Sequence, residues 1–291
     1  MTSRYSFHLG AAPAVSVDGR AAGSGAIVED FPLLSGISAA ALTLPCGAVE
    51  GPRWYTNAGL LAYCTQGAAL VTVLSPANLH DVFTVDADEL FFVEQGFAYS
   101  IANASAGPTH LIALLSHERP VACAPADLIA APPSFIRSSV RGAAVAPRVS
   151  SPHKLAMREV RPSAYAGGAT TRVVTGEELS ILDRLALCTL AVLPSGAAEP
   201  HWHPNCGELG YVLGGRARLS VVSPQGGIER LELGLGDLYF VPPAYPHWQE
   251  TLGEDELRIL IGFTHQEPLT IALGNAVVAF PMAGRNCRSG G

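Results

Sequence analysis

The reading turns on Glu199-Pro-His-Trp-His-Pro-Asn-Cys-Gly-Glu-Leu-Gly-Tyr-Val-Leu-Gly-Gly215, followed downstream by Gly236-Asp-Leu-Tyr-Phe-Val-Pro-Pro-Ala-Tyr-Pro-His247. In an extended segment, alternation puts the imidazoles of His201 and His203 on one face and Trp202 on the other. Glu208 opens the next expected strand, Gly214-Gly215 supply a tight turn, and His247 follows a Pro-rich turn. Three imidazoles and one carboxylate brought together from neighbouring strands make a mixed nitrogen and oxygen site for a divalent transition metal. A lone His-x-His pair reads as scattered surface histidines. The His-x-His-x4-Glu spacing, with a Gly-x5-Pro-x3-Pro-His segment after it, is what lifts the pattern to a metal site.

The same scaffold occurs earlier in the chain, which makes the sequence an internal repeat. Arg53-Trp-Tyr-Thr-Asn-Ala-Gly-Leu-Leu-Ala-Tyr-Cys-Thr-Gln-Gly67 lies on His201 to Gly215 without a gap, at an offset of 148. Trp54 falls on Trp202, Asn57 on Asn205, Gly59 on Gly207 and Tyr63 on Tyr211. Leu90-Phe-Phe-Val93 continues the register onto Leu238-Tyr-Phe-Val241. Leu44-Pro-Cys-Gly-Ala48 echoes Leu193-Pro-Ser-Gly-Ala197 one residue out of step. In this register the four candidate ligands become Arg53, Tyr55, Leu60 and Tyr99, so the first copy is expected to hold no metal.

Both copies consist of short apolar or β-branched runs separated by Gly, Pro, Asn and Asp, which implies an all-β sandwich or small barrel in each half. Ala217, Leu219 and Val221 are expected to face inward, with Arg216 and Arg218 facing out. Helix is expected only as short flanking pieces, over 127–140, where a Pro pair breaks it, and over 270–279. Residues 139–152 read as a linker, which gives an N-terminal domain over 1–150 and a C-terminal, metal-binding domain over 151–291.

Of the 291 residues, 48% are hydrophobic and 15% charged, ample material for a core and a hint of surface buried against another domain or subunit. The net charge of -7, without a basic run, argues against nucleic acid as a partner. No transmembrane run and no signal-peptide layout is visible, so a cytoplasmic setting is the default expectation, with a homo-oligomer as the expected assembly. The six cysteines form no CxxC pair and read as free thiols, mostly buried.

With its repeat, its His201-Trp-His-Pro-Asn-x-x-Glu208 motif, Gly236-Asp-x-x-x-x-Pro242 and His247, the chain resembles a bicupin, two tandem cupin jelly-roll β-barrels, of the oxalate decarboxylase and germin-like oxalate oxidase group. The resemblance covers nearly the whole chain. It implies His201, His203, Glu208 and His247 as ligands of one divalent metal, manganese first, with iron, cobalt, nickel or zinc as alternatives. It also implies a small-molecule substrate. In that group an Arg three residues before the first motif His helps hold the substrate carboxylate; here the position is Ala198, leaving Arg184, Arg216 or Arg218 as other candidate cations.

Around the site, Tyr245, Trp248 and Cys206 are candidate pocket residues. In the first copy Arg53, Tyr55 and Tyr99 could clamp a small anion; the preferred reading is that these bulky side chains fill the emptied site. The expected function is a metal-dependent decarboxylase or oxidase acting on a small carboxylate or oxygenated substrate. The alternatives are a non-catalytic storage or spherulin-like metal binder, and a cupin dioxygenase, isomerase or lyase of specialised metabolism.

Overall fold

Runs such as Leu60-Leu-Ala-Tyr-Cys64 are apolar at every position, the mark of strands covered on both faces. A computed structural model, which describes residues 3–12, 14–17, 21–124, 146–148 and 150–279, places these runs in the two largest sheets. In the N-terminal half a seven-stranded sheet runs in the order Lys154–Ala156, Glu89–Val93, Leu60–Gln66, Thr109–Leu115, Ser38–Leu44, Ala21–Ala26, Ala14–Val17. Its five-stranded companion is Ala122–Cys123, Val49–Tyr55, Ala98–Asn103, Ala68–Ser75, Leu79–Asp86. The C-terminal half repeats this with Ser6–His8, Asp237–Val241, Glu208–Gly214, Leu257–Phe263, Ala186–Val192, Ala169–Val174, Ser163–Ala164, and with Ile228–Leu233, Ala217–Val222, His247–Thr251, His201–Trp202, Ile271–Ala272. The sheet pairs enclose two separate cores, one per barrel.

A third core lies between the halves. Leu61, Phe92 and Leu114 from one large sheet join Leu209, Phe240 and Leu260 from the other, with Phe31, Leu34, Leu179 and Leu182 at its rim. Alternate residues of these strands serve the barrel interior and the contact between barrels, which accounts for the apolar composition inside a single chain. No helix among the described residues is long and apolar enough to cross a membrane.

A clean cut at 150 does not follow the sheets. Ser6–His8 pairs with Asp237–Val241 in the C-terminal barrel, and Lys154–Ala156 pairs with Glu89–Val93 in the N-terminal one. Each half thus lends its first strand to the other. Glu89, only 3% exposed, receives Lys154 Nζ at 3.1 Å and Arg158 Nη2 at 3.3 Å. The equivalent tie in the other barrel is His8 Nδ1 to Asp237 Oδ1 at 2.7 Å, in a more exposed setting.

The Leu44 and Leu193 segments stay at the offset of 148. Gly47 and Ser195 take the positive φ, and the turns close through Ala48 N to Pro45 O and Gly196 N to Leu193 O. Helix in the second flanking segment runs over Leu273–Ala279, because Ile271–Ala272 is drawn into strand pairing with His201–Trp202. The helix expected over 127–140, most of the 139–152 linker, and Cys287 lie outside the described residues. The five described cysteines are free, and Cys64, Cys188 and Cys206 are buried.

Candidate metal centre

The C-terminal site forms where the two sheets of one barrel face each other. His201 and His247 are direct cross-strand partners in the five-stranded sheet, which brings their rings to 4.4 Å between centroids. His203 lies two residues on from His201, as strand alternation requires, and its ring centroid is 5.0 Å from that of His201. Glu208 comes from the opposite, seven-stranded sheet as the first residue of Glu208–Gly214. One ligand-type atom from each of the four residues lies within 4.8 Å of all the others.

The hydrogen bonds fix which atoms face the centre. His201 Nδ1 donates to Glu199 O at 2.7 Å, His203 Nδ1 to Leu269 O at 2.9 Å, and His247 Nδ1 to Tyr245 O at 3.0 Å. A backbone carbonyl can only accept, so each ring carries its proton on Nδ1 and turns Nε2 inward. Glu208 Oε2 lies 3.0 Å from His203 Nε2 and 3.1 Å from His247 Nε2. Its other oxygen, Oε1, accepts from the Tyr239 hydroxyl at 2.6 Å and from Gln249 Nε2 at 3.1 Å.

Inward-facing nitrogens around a fully buried carboxylate require a positive charge among them. Burial by itself would raise the Glu208 carboxyl; the positive charge of His247 and the hydrogen bonds of both histidines prevail and hold it well below the usual carboxylate range. Burial likewise opposes charge on His247, yet Glu208 raises it above the usual histidine value. His201 goes the other way, down to about 4, through burial and then the neighbouring His247. A divalent cation supplies the same compensation to three nitrogens and one carboxylate oxygen, so the donor set fits such an ion.

Beside the centre is a cavity of about 130 Å³, whose lining includes His201, His203, Glu208, Gln249, Thr171 and Ala198. Its wall is otherwise largely apolar, with Val173, Leu190, Ile261 and Phe263, and no Lys or Arg among the described residues lines it. Arg184 reaches Gln95 at 2.6 Å instead, and Arg216 and Arg218 pair with Glu232 on the outer face. Gln249 Oε1 and Thr171 Oγ1 are buried without a hydrogen-bond partner, and both side chains line the cavity.

Three expected pocket residues sit elsewhere. Cys206 is 1% exposed and packs in the barrel core. Trp248 alternates with His247 along its strand, and alternation sends it to the other face. Tyr245 contributes its carbonyl to His247. None of the three lines the cavity. Glu199 is exposed, and its backbone carbonyl orients His201. Tyr239 and Gln249 went unread in the sequence. Gln249 had a signal, two residues from His247 and hence on the same strand face.

A family model described as Cupin matches residues 11–127 and 158–283. The chain belongs to the cupin family. It is a bicupin related to oxalate decarboxylases and germin-like proteins. The oxalate decarboxylase of Bacillus subtilis is 23% identical to this cupin over 290 residues, covering 87% of this chain and 74% of that protein. A probable germin-like protein of Arabidopsis thaliana is 31% identical over 110 residues, 36% of this chain and 52% of that one. Among solved structures, the Bacillus subtilis oxalate decarboxylase superposes with a TM-score of 0.86 at 18% identity, over 97% of this chain and 81% of that chain. The oxalate decarboxylase of Lactobacillus farciminis, solved as a formate complex, also gives 0.86 at 18% identity, over 97% and 92%. At such identities the structural likeness is one of fold.

Proposed function

We propose that this bicupin is a metal-dependent enzyme that acts on a small carboxylate or other oxygenated substrate at one site, in the C-terminal barrel. His201, His203, Glu208 and His247 would hold the metal. The observation that carries the reading is the set of Nδ1 bonds to backbone carbonyls, which turns three Nε2 atoms and Glu208 Oε2 toward one point. Manganese is the preferred ion, since the related Bacillus subtilis oxalate decarboxylase has Mn(II) centres. When bound, the metal supplies Lewis-acid polarisation of a substrate oxygen.

The chain's own residues set the rest. Tyr239 and Gln249 hold Glu208 in place from behind. Gln249 Oε1 and Thr171 Oγ1 offer hydrogen-bonding capacity to an incoming molecule within a largely apolar wall. With no Lys or Arg among the described residues of the lining, a dianion would have to rely on the metal for charge compensation. This disfavours oxalate relative to a monoanion or a hydroxylated compound. The aliphatic wall also favours a second reading, a non-catalytic storage-type metal binder.

Elemental analysis of the purified chain, paired with carbon dioxide and oxygen-consumption assays on small acids and hydroxy acids, tests both. The enzyme reading expects manganese near one equivalent per chain, its loss in His201→Ala, and turnover of at least one compound. Unchanged metal content in His201→Ala overturns the site. Bound metal without turnover leaves the storage reading. Vigorous oxalate turnover overturns the argument from the missing cation.

A further inference from the structure

The emptied metal position in the N-terminal barrel is not filled. A cavity of about 150 Å³ lies there, lined by Arg53, Tyr55, Leu60 and Tyr99 at the old ligand positions. Arg53 and Tyr99 are cross-strand partners, as His201 and His247 are in the other barrel. Arg and two Tyr are bulkier than the three His they replace, and by themselves they would close the space. The facing wall has shrunk to match. Gly23 stands where the other barrel has Thr171, Gly25 for Val173, Ala40 for Cys188 and Ala113 for Ile261. Filling an empty cavity is favourable, because it restores lost van der Waals contacts. Small residues set against the enlarged side chains keep it open instead.

The floor of this cavity is polar and ordered. Glu50, 5% exposed, receives Arg53 Nε at 2.7 Å and Nη2 at 3.0 Å. Tyr55 and Tyr99 line the cavity beside Arg53, and the two phenol rings stack at 6.3 Å between centroids. A buried ion pair contributes little to stability once its desolvation is counted, so packing alone gives no reason for one here. The pair cancels Arg53's charge, so a free anion gains no net attraction, contrary to the clamp the sequence suggested. Burial, with Tyr55 and Glu50 alongside, pushes the Tyr99 hydroxyl well above the usual tyrosine range and keeps it protonated. The remaining walls, Leu42, Ile101, Leu111 and Leu115, are aliphatic.

We propose that the N-terminal barrel is a second binding site, for a small uncharged molecule with an apolar body and one oxygen that takes hydrogen bonds from the Arg53, Tyr55 and Tyr99 group. Cavities of ~150 Å³ accept benzene-sized ligands, which sets the scale. The site lies in the other barrel from the metal centre and does not rest on the reaction proposed there.

The test uses the full chain, with phenol as the uncharged probe and oxalate as the dianion, by isothermal titration and saturation-transfer NMR. Phenol is expected to bind with a Kd on the order of 1 mM. Gly25→Val, which copies Val173, is expected to weaken it by about tenfold or more, while His201→Ala leaves it unchanged. A Cβ on Gly25 meets nothing closer than 3.8 Å, so the backbone accepts the change. If that variant fails to fold, Ala113→Ile, which copies Ile261, takes its place. Absence of phenol binding, its survival in the plugged variant, or its loss in His201→Ala overturns the proposal. Oxalate binding that survives His201→Ala but is lost on plugging overturns the ligand class.

Discussion

The two barrels share strand order, repeat register and the cross-strand pair at the centre of the five-stranded sheet, yet carry opposite chemistry. At that pair one has His201 and His247, the other Arg53 and Tyr99. The difference runs deeper than the four candidate ligands. Where Tyr239 and Gln249 steady Glu208, the N-terminal barrel has Phe91 and Ile101 behind Leu60, and where Ala198 leaves room it has Glu50. The jelly roll fixes where side chains point; the set of side chains around that pair decides what the cavity holds.

The sharpest way to break this comparison is to exchange the chemistry. Arg53→His, Tyr55→His, Leu60→Glu and Tyr99→His together, in a chain whose C-terminal ligands are removed, are expected to bind manganese at least about 100-fold more weakly than the C-terminal site. The new carboxylate would lack its supporting donors and sit beside buried Glu50. Adding Phe91→Tyr, Ile101→Gln and Glu50→Ala should recover at least about tenfold. Equal affinity without the three additions would reduce the difference between barrels to the ligands alone. A smaller effect runs in the other direction: Tyr239→Phe copies Phe91 and is expected to lower metal affinity about 10-fold, measured by competition with a chelator, with the fold intact by circular dichroism. No change would mean that Gln249 suffices to hold Glu208.

The smallest effect concerns the exchanged strands. Lys154→Met removes one of two cations from buried Glu89 and is expected to cost about 1–2 kcal/mol in chemical denaturation, whereas His8→Ala, at the more exposed tie to Asp237, stays within about 0.5 kcal/mol. Equal losses would show that the two ends of the exchange are held alike.

Much of this was legible from residue spacing. His201 and His203 share a strand face by alternation, and the repeat sets Arg53, Tyr55, Leu60 and Tyr99 at the positions of the four candidate ligands without any structure. Ala198 stands where the resemblance expects a cation, and among the described residues no Lys or Arg lines the cavity. Tyr239 was hidden in an apolar run whose every residue reads as core, although its alignment with Phe91 marked a polar change. The retained N-terminal cavity is not legible from the ligand positions alone, since it depends on the facing wall, where Gly23, Gly25, Ala40 and Ala113 carry no chemistry of their own.

The sequence by itself determined two β-barrels, their register of 148 and the four residues that gather in one of them, because strand periodicity and repeat alignment are local properties of the chain. Only the tertiary structure decided that Ser6–His8 and Lys154–Ala156 cross to the opposite barrel, that Glu208 meets the histidines from the facing sheet, and that a cavity survives around Arg53. These depend on which sheet edges are left open and on volumes summed across residues far apart in sequence, and no local pattern encodes either.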